Sequence, residues 1–247
     1  MSQAESHTKW KPLYRVGGAA ALIIAGLTVI QAIIFIAWPP PGTVIGYFTL
    51  LQNNRLLGLL SLDLLSIAII ALMGLIWLTL YVALRRTSQS FMAIALTLGI
   101  VSVALYFASN TAFNMLSLSD QFAAATTDAQ RSMFLAAGQA MLAIYQGTAF
   151  DVYYVLGGVV GLIISAVMLR STIFSKVTAY VGILMSVLMF VPPTVGTIGL
   201  YFSLISLVPL TIWCILIARR FFQLGSGVSK EEAKQPTLAL KPIYLMS

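Results

Sequence analysis

The stretch LLGLLSLDLLSIAIIALMGLIWLTLYVAL, residues 56–84, decides the fold of this chain. Asp63 is its only charged residue, and Leu, Ile and Ala dominate the rest. A helix needs about 20 apolar residues to cross the hydrocarbon core of a bilayer, and this run is longer. Because a chain in lipid must satisfy its own backbone hydrogen bonds, we interpret the run as a membrane-spanning helix.

The whole chain has the composition of a membrane protein. Of its 247 residues, 60% are hydrophobic and only 9% are charged, whereas about 25% are charged in a soluble domain. Uninterrupted apolar runs indicate helices, because the strands of a membrane barrel alternate polar and apolar residues. We therefore predict an all-α, polytopic membrane helical bundle of about six transmembrane helices, at residues 16–38, 56–84, 91–118, 148–169, 174–191 and 198–218. The fifth run is the shortest, and a re-entrant segment is the alternative there.

Basic residues predict how the chain is threaded. Of the 14 Lys and Arg residues, only Arg55 and Arg131 fall on one side of the predicted spans. Cytoplasmic loops carry the excess of positive charge, so we predict a cell-membrane protein with both termini in the cytoplasm. Residues 1–15 and 225–247 are then cytoplasmic tails, and residues 16–224 are the membrane domain. The net charge of +7 reflects this threading and contact of the basic residues with the anionic headgroups of the lipid bilayer. We therefore expect no nucleic-acid partner.

Two stretches lie between the predicted spans on the outer face. Residues 39–54 are rich in Pro, Gly and aromatic residues, and they predict a surface loop. Residues 119–146 predict an amphipathic helix, since Thr127 and Gln130 have the spacing of a capping box, and Phe134, Met141 and Tyr145 recur after them at helical spacing. This helix either packs over the bundle or acts as a lid above a pocket, and amphipathicity does not separate the two.

Polar residues within the predicted spans cluster toward the outer side. They suggest an outward-facing ligand pocket lined by the first four spans, and its candidate residues are Asp63, Gln31, Asn110, Asn114, Asp151 and Arg55. Intramembrane acids mark functional sites or hydrogen-bonded partners, and for Asp63 both interpretations stay open. A capping role is not expected for Asp63, because the residues on both sides continue the span.

Structural alternatives apply to the other candidates. Asp151 would be an acid in the first turn of a helix capped by Thr148, where it complements the helix dipole. Asn110 and Asn114 are four residues apart and would share a helix face, forming interhelical hydrogen bonds. Arg55 is too far along the helix from Asp63 for a direct ion pair, although a shared wet cavity is open to them.

Three residues are assigned to helix packing. Gly157 and Gly161 form a G-x-x-x-G pattern, which allows close helix contact within the bundle or between copies of the chain. Pro209 lies inside the sixth span and predicts a kink.

Several chemistries are excluded by the residues that the sequence lacks. Its only histidine, His7, is in the N-terminal tail, and its only cysteine is Cys214. A haem or metal site and a serine hydrolase with a histidine base are therefore not expected. A P-loop is not expected either, because its sequence pattern does not occur. The contexts of Asp63 and Asp151 also do not match those of intramembrane aspartyl proteases. We predict no catalytic residues, no metal and no cofactor.

Four segments carry a resemblance to a known family. They are QFAAATTDAQRSMFLAAGQAMLA (121–143), GTAFDVYYVLGG (147–158), LIISAVMLRSTIFSKVTAYVGI (162–183) and LVPLTIWCILIARRFFQLG (207–225). The chain resembles a bacterial and archaeal family of small six-span membrane proteins, known as the domain of unknown function numbered four-three-eight-six. The resemblance implies a single helical domain, and it implies no activity.

Three functions follow as hypotheses. The first is a membrane protein that binds a small polar or lipid-like ligand in the outer pocket, as a sensor or transport component. The second is a structural or accessory membrane protein without a ligand. The third is a lipid-modifying enzyme, which has little residue support. A homo-oligomer or another membrane protein remains open as a partner.

Overall fold

The computed structural model describes residues 10–226, and all regular secondary structure within them is helical. The all-α bundle is therefore confirmed. Its helices are α1 (Lys11–Ala37), α2 (Val44–Asn53), α3 (Arg55–Ser61), α4 (Leu64–Leu84), α5 (Gln89–Ser109), α6 (Ala112–Ala124), α7 (Asp128–Tyr145), α8 (Thr148–Arg170), α9 (Lys176–Leu188) and α10 (Gly196–Ser226). The helix α1 begins before the predicted span at 16–38, and α10 extends beyond the predicted span at 198–218 at both ends. Most of the two predicted tails, at 1–9 and 227–247, lies outside the described residues.

Six helices form a closed ring. Each packs against the next in the order α1, α4, α5, α8, α9, α10, and α10 packs back on α1. One large apolar core joins them, and it includes Ile24, Trp77, Ile164 and Trp213. Because the six helices close into a ring, they surround an interior space.

Four further helices cover one end of this ring. The helices α2, α3, α6 and α7 pack on one another around a second apolar core with Phe48, Leu51, Leu62 and Met115 at its centre. We call this layer the cap. The predicted loop at 39–54 is wrong for most of its length, because it contains α2; the Thr43 side chain accepts a hydrogen bond from the backbone N–H of Gly46 and starts that helix.

The predicted outer helix is two helices. The capping box of Thr127 and Gln130 is confirmed, and it starts α7 at Asp128. The first residues of the predicted stretch 119–146 belong to α6, which ends at Ala124. The helix α7 packs over the bundle as part of the cap.

Two of the predicted spans are interrupted. The run 56–84 breaks between α3 and α4, where Asp63 adopts a left-handed backbone conformation with φ of 61°. The run 91–118 breaks between α5 and α6 at Asn110, whose backbone is extended. The prediction of a continuous helix around Asp63 is therefore wrong, and this residue stands at the N-cap position of α4.

Helix lengths and surfaces fit a bilayer. Five helical stretches are long and apolar enough to cross a membrane, and they include α1, α4, α5, α8 and α10. Large apolar side chains cover their outer surfaces, for example Ile33, Ile36 and Val208. The helix α9 has 13 residues and a length of about 20 Å, which is shorter than the hydrocarbon core of about 30 Å.

The packing glycines lie inside the bundle. A Cβ on Gly157 would be 2.9 Å from the Met189 side chain, and the Gly161 position faces Ser186 of α9. The G-x-x-x-G pattern therefore packs α8 on α9 of the same chain. The helix α10 continues through Pro209, which is buried.

Candidate functional site

A cavity of about 520 Å³ occupies the interior of the ring. All six ring helices line it, and so do residues of the cap. It reaches the surface at the cap end, where Pro40, Gly42, Gln146 and Gly196 are exposed. Its size is that of a small-molecule site, which is typically about 300–1,000 Å³.

Asp63 lies at the cap end of this cavity. Its carboxyl group accepts hydrogen bonds from the hydroxyl groups of Tyr145 and of Ser66, the latter at 3.4 Å. It makes no capping bond to the backbone of α4. Burial and the nearby Asp63 carboxyl raise the pKa of Tyr47, which lines the same end from α2, to about 12. The hydrogen bonds to the Asp63 carboxyl group thus come from the neutral hydroxyl groups of Tyr145 and Ser66.

The break in front of α4 explains several polar residues inside the apolar bundle. The side-chain amide of Gln31 donates to the Leu60 carbonyl at 3.4 Å, and that of Asn110 donates to the Leu62 carbonyl at 3.2 Å. The Tyr106 hydroxyl donates to the carbonyl of Asp63 at 3.4 Å. Irregular backbone is tolerated at membrane depth only where protein buries it or where it lines a cavity. These donors satisfy that requirement.

Some polar atoms beside the cavity are unpartnered. They are the Oγ1 of Thr28, the Oε1 of Gln31 and the Oγ of Ser61, and all three residues are at least nine-tenths buried and line the cavity. An unpaired buried polar group is costly. The residues that carry these three oxygens line the cavity, and the described part of the chain gives the oxygens no hydrogen-bond partner.

An aromatic cluster forms one wall near Asp63. Tyr106 and Tyr153 have ring centroids 5.0 Å apart, Phe150 and Tyr154 are 5.1 Å apart, and Tyr145 contacts Phe150 at 6.0 Å. All five line the cavity. Tyr154 also shares a hydrogen bond of 2.9 Å with Ser203 of α10.

The other end of the cavity is apolar. From Ser66 to Trp77 the wall formed by α4 extends for about 16 Å along the helix axis. Ile69, Ile70 and Met73 lie along it, and α10 contributes Leu204, Leu207 and Leu210. The cavity therefore has a polar end at the cap and an apolar end inside the ring.

The structure brings together only part of the predicted site. Asp63 and Gln31 line the cavity, while Asn110 lies beside it at the helix break. Asn114 is exposed on α6, and the break separates it from the helix of Asn110. Arg55 is exposed and pairs with Asp120 at 2.9 Å, on the cap surface.

Asp151 lies outside the cavity lining. Its carboxyl group accepts a hydrogen bond from Thr194, which does line the cavity. It is in the first turn of α8, as predicted, but the N-cap residue is Gly147, so the predicted cap at Thr148 is wrong. Asp151 thus connects α8 to the loop before α10.

The sequence prediction misses the tyrosines and α10. The residues Tyr106, Tyr145, Tyr153 and Tyr154 are not among the predicted pocket residues. The adjacent pair Tyr153–Tyr154 within an apolar run is the available signal, since a buried tyrosine hydroxyl needs a partner. No comparable signal marks α10, because its cavity residues are mainly leucines.

Fold and site together define a helical membrane-type bundle with an internal amphipathic cavity. Within residues 10–226, no three His, Cys, Asp or Glu side chains are grouped closely enough to hold a metal ion. Comparison with protein-family models, curated proteins and solved structures finds no match. The resemblance given by the four sequence segments therefore stays a prediction.

Proposed function

We propose that this chain is a multi-pass protein of the cell membrane that binds a small amphiphilic ligand in its central cavity, as a sensor or a transport component. One observation carries the proposal: a single cavity joins a hydrogen-bonding end around Asp63 to an apolar end between α4 and α10. A ligand with a polar head and an apolar tail would match both ends. The cap end would face outward, because basic residues concentrate at the other end of the helices.

A cavity-filling substitution tests the binding proposal. Leu207 lines the cavity, and its neighbour Val208 is 62% exposed on the outer surface of α10. Purified protein in lipid nanodiscs is heated with and without octanol. Octanol is expected to raise the Tm of wild type and of the matched control Val208→Trp, and to leave the Tm of Leu207→Trp unchanged. Equal shifts in all three proteins would mean that octanol acts only through the lipid, and the proposal would be abandoned.

Thiol labelling tests the orientation. Ser132 is exposed on the cap helix α7, and Ser90 is exposed at the start of α5, at the opposite end of the ring. With the cap outside, a membrane-impermeant maleimide should label Ser132→Cys and not Ser90→Cys in intact cells. Cys214 is buried and serves as the unlabelled background. The reverse pattern would contradict the proposed orientation.

A structural or accessory role is the second candidate. It is favoured by the amides of Gln31 and Asn110, whose hydrogen bonds to the helix break serve the fold. In that case octanol would act equally on both tryptophan variants.

A further inference from the structure

The charges around the cavity point to one class of ligand. Asp63 is the only residue with a formal charge among the described residues that line it, and none of these is a Lys, Arg or His. The hydrogen-bond donors to its carboxyl group, Tyr145 and Ser66, are neutral hydroxyl groups. These hydrogen bonds are the only compensation that the described lining gives the acid, because it contains no cation, so a positively charged ligand would add the missing opposite charge.

The wall beside Asp63 has the chemistry that attracts cations. The rings of Tyr106, Tyr145, Phe150, Tyr153 and Tyr154 form one contiguous cluster along the cavity. Aromatic faces attract ammonium groups through their quadrupole, most strongly where water is excluded. An acid beside an aromatic wall is therefore a complementary environment for an alkylammonium head.

The unpartnered oxygens extend the same preference. Gln31 uses its amide N–H on the Leu60 carbonyl, so the free atom is the acceptor Oε1. The hydroxyl groups of Thr28 and Ser61 can also accept. These neutral atoms carry no positive charge that would hold a carboxylate or phosphate head, and such a head would also lie beside the Asp63 carboxyl group.

We propose that the cavity selects an organic cation, an amine or quaternary ammonium with an apolar tail, whose head lies between the Asp63 carboxylate and the aromatic cluster. This inference rests on the proposed function, because it names the chemistry of the ligand for the same cavity. The tail would lie along Ile70 and Met73 toward Leu207.

Ligands with one tail and different heads test this selectivity. Octylamine, octyltrimethylammonium, octanol and octanoate are titrated calorimetrically into protein in zwitterionic nanodiscs, with empty nanodiscs as the reference. Wild type is expected to bind the two cations at least about ten-fold more tightly than octanol, and octanoate most weakly. Asp63→Asn should lower the ratio of cation affinity to octanol affinity by about ten-fold, which removes the preference for cations. Asp120→Asn, an exposed acid of the cap, should behave as wild type.

A second variant keeps the test independent of Asp63. Tyr153→Leu removes an aromatic face and leaves the acid in place, so it should weaken octyltrimethylammonium about two- to thirty-fold more than it weakens octanol. If octanol and octanoate bind wild type as well as the cations do, or if Asp63→Asn keeps the preference, the cation inference is overturned and the proposed function stands. If none of the four ligands binds, the proposed function itself fails.

Discussion

Asn110 allows the sharpest test of how the broken helices are held. Its side chain joins the two breaks, since Nδ2 donates to the Leu62 carbonyl at 3.2 Å and Oδ1 accepts from the Ala112 N–H at 3.2 Å. Leu62 and Ala112 are both fully buried. Asn110→Ala therefore leaves one buried acceptor and one buried donor without this partner.

The magnitude follows from those two hydrogen bonds. At about 0.6 kcal/mol for each, the average within membrane bundles, the loss is about 1.2 kcal/mol. At about 1.5 kcal/mol for each, the upper range of a typical net hydrogen bond, it is about 3 kcal/mol. We expect Asn110→Ala to lower the free energy of unfolding by about 1–3 kcal/mol.

Reversible unfolding in mixed micelles, with a rising fraction of SDS, measures this change. Asn114→Ala is the matched control, because it removes the same side chain from an exposed position on α6. It should change the free energy of unfolding by less than about 0.5 kcal/mol. If the two variants lose the same stability, or if Asn110→Ala loses none, the bridge between the breaks does not stabilise the fold.

Two further predictions concern packing and the acid. Gly158→Ala places a Cβ 3.0 Å from a backbone carbonyl of α9 and should lower the free energy of unfolding by about 1–3 kcal/mol. Gly26→Ala, with no atom within 4 Å, should be neutral or stabilising by up to about 1 kcal/mol. Unfolding in SDS micelles compares the two variants, and equal effects would refute the close α8–α9 contact. Tyr145→Phe removes the hydroxyl group bonded to Asp63 and should lower stability by about 1–3 kcal/mol in the same assay. Tyr180→Phe, at an exposed tyrosine, should change little, and a loss as large as that of Tyr145→Phe would contradict this role.

The long apolar helices could be predicted from the sequence, because a bilayer would impose one strict requirement on them. Any apolar run of sufficient length must form a helix in lipid, so hydropathy alone located α8 and α9 to within a few residues. The capping box of α7 was also readable, since its two hydrogen bonds are local. Local chemistry and length were therefore sufficient for the long helices and for the start of α7.

The helix breaks could not be predicted, because they depend on distant partners. Ser61, Leu62 and Leu64 are compatible with a continuing helix, and no Pro or Gly marks the interruption at Asp63. The break is stabilised by Gln31 and Asn110, which are far away in sequence. The same effect misplaced Asn114, because helical spacing from Asn110 has no meaning across a break.

Which residues line the cavity depends on the order of the helices in the ring, and the sequence does not specify that order. The sequence marked polar residues on the first four spans, but it contained no signal that α10 returns beside α1. Leu204 and Leu207 are indistinguishable by composition from residues that face lipid. They line the cavity because α10 packs between α9 and α1, a tertiary arrangement that composition does not reveal.

That closure has a kinetic consequence. The contact between α1 and α10, in which Tyr14 stacks on Phe221 at 6.3 Å and Gly18 faces Phe222, joins helices from opposite ends of the described chain. Contacts between residues so far apart form late, because the intervening loop must be closed first. We therefore expect α1 to lack its α10 partner on one flank during synthesis, until α10 has been made. The arrival of α10 completes the ring and, in the same step, the last wall of the cavity.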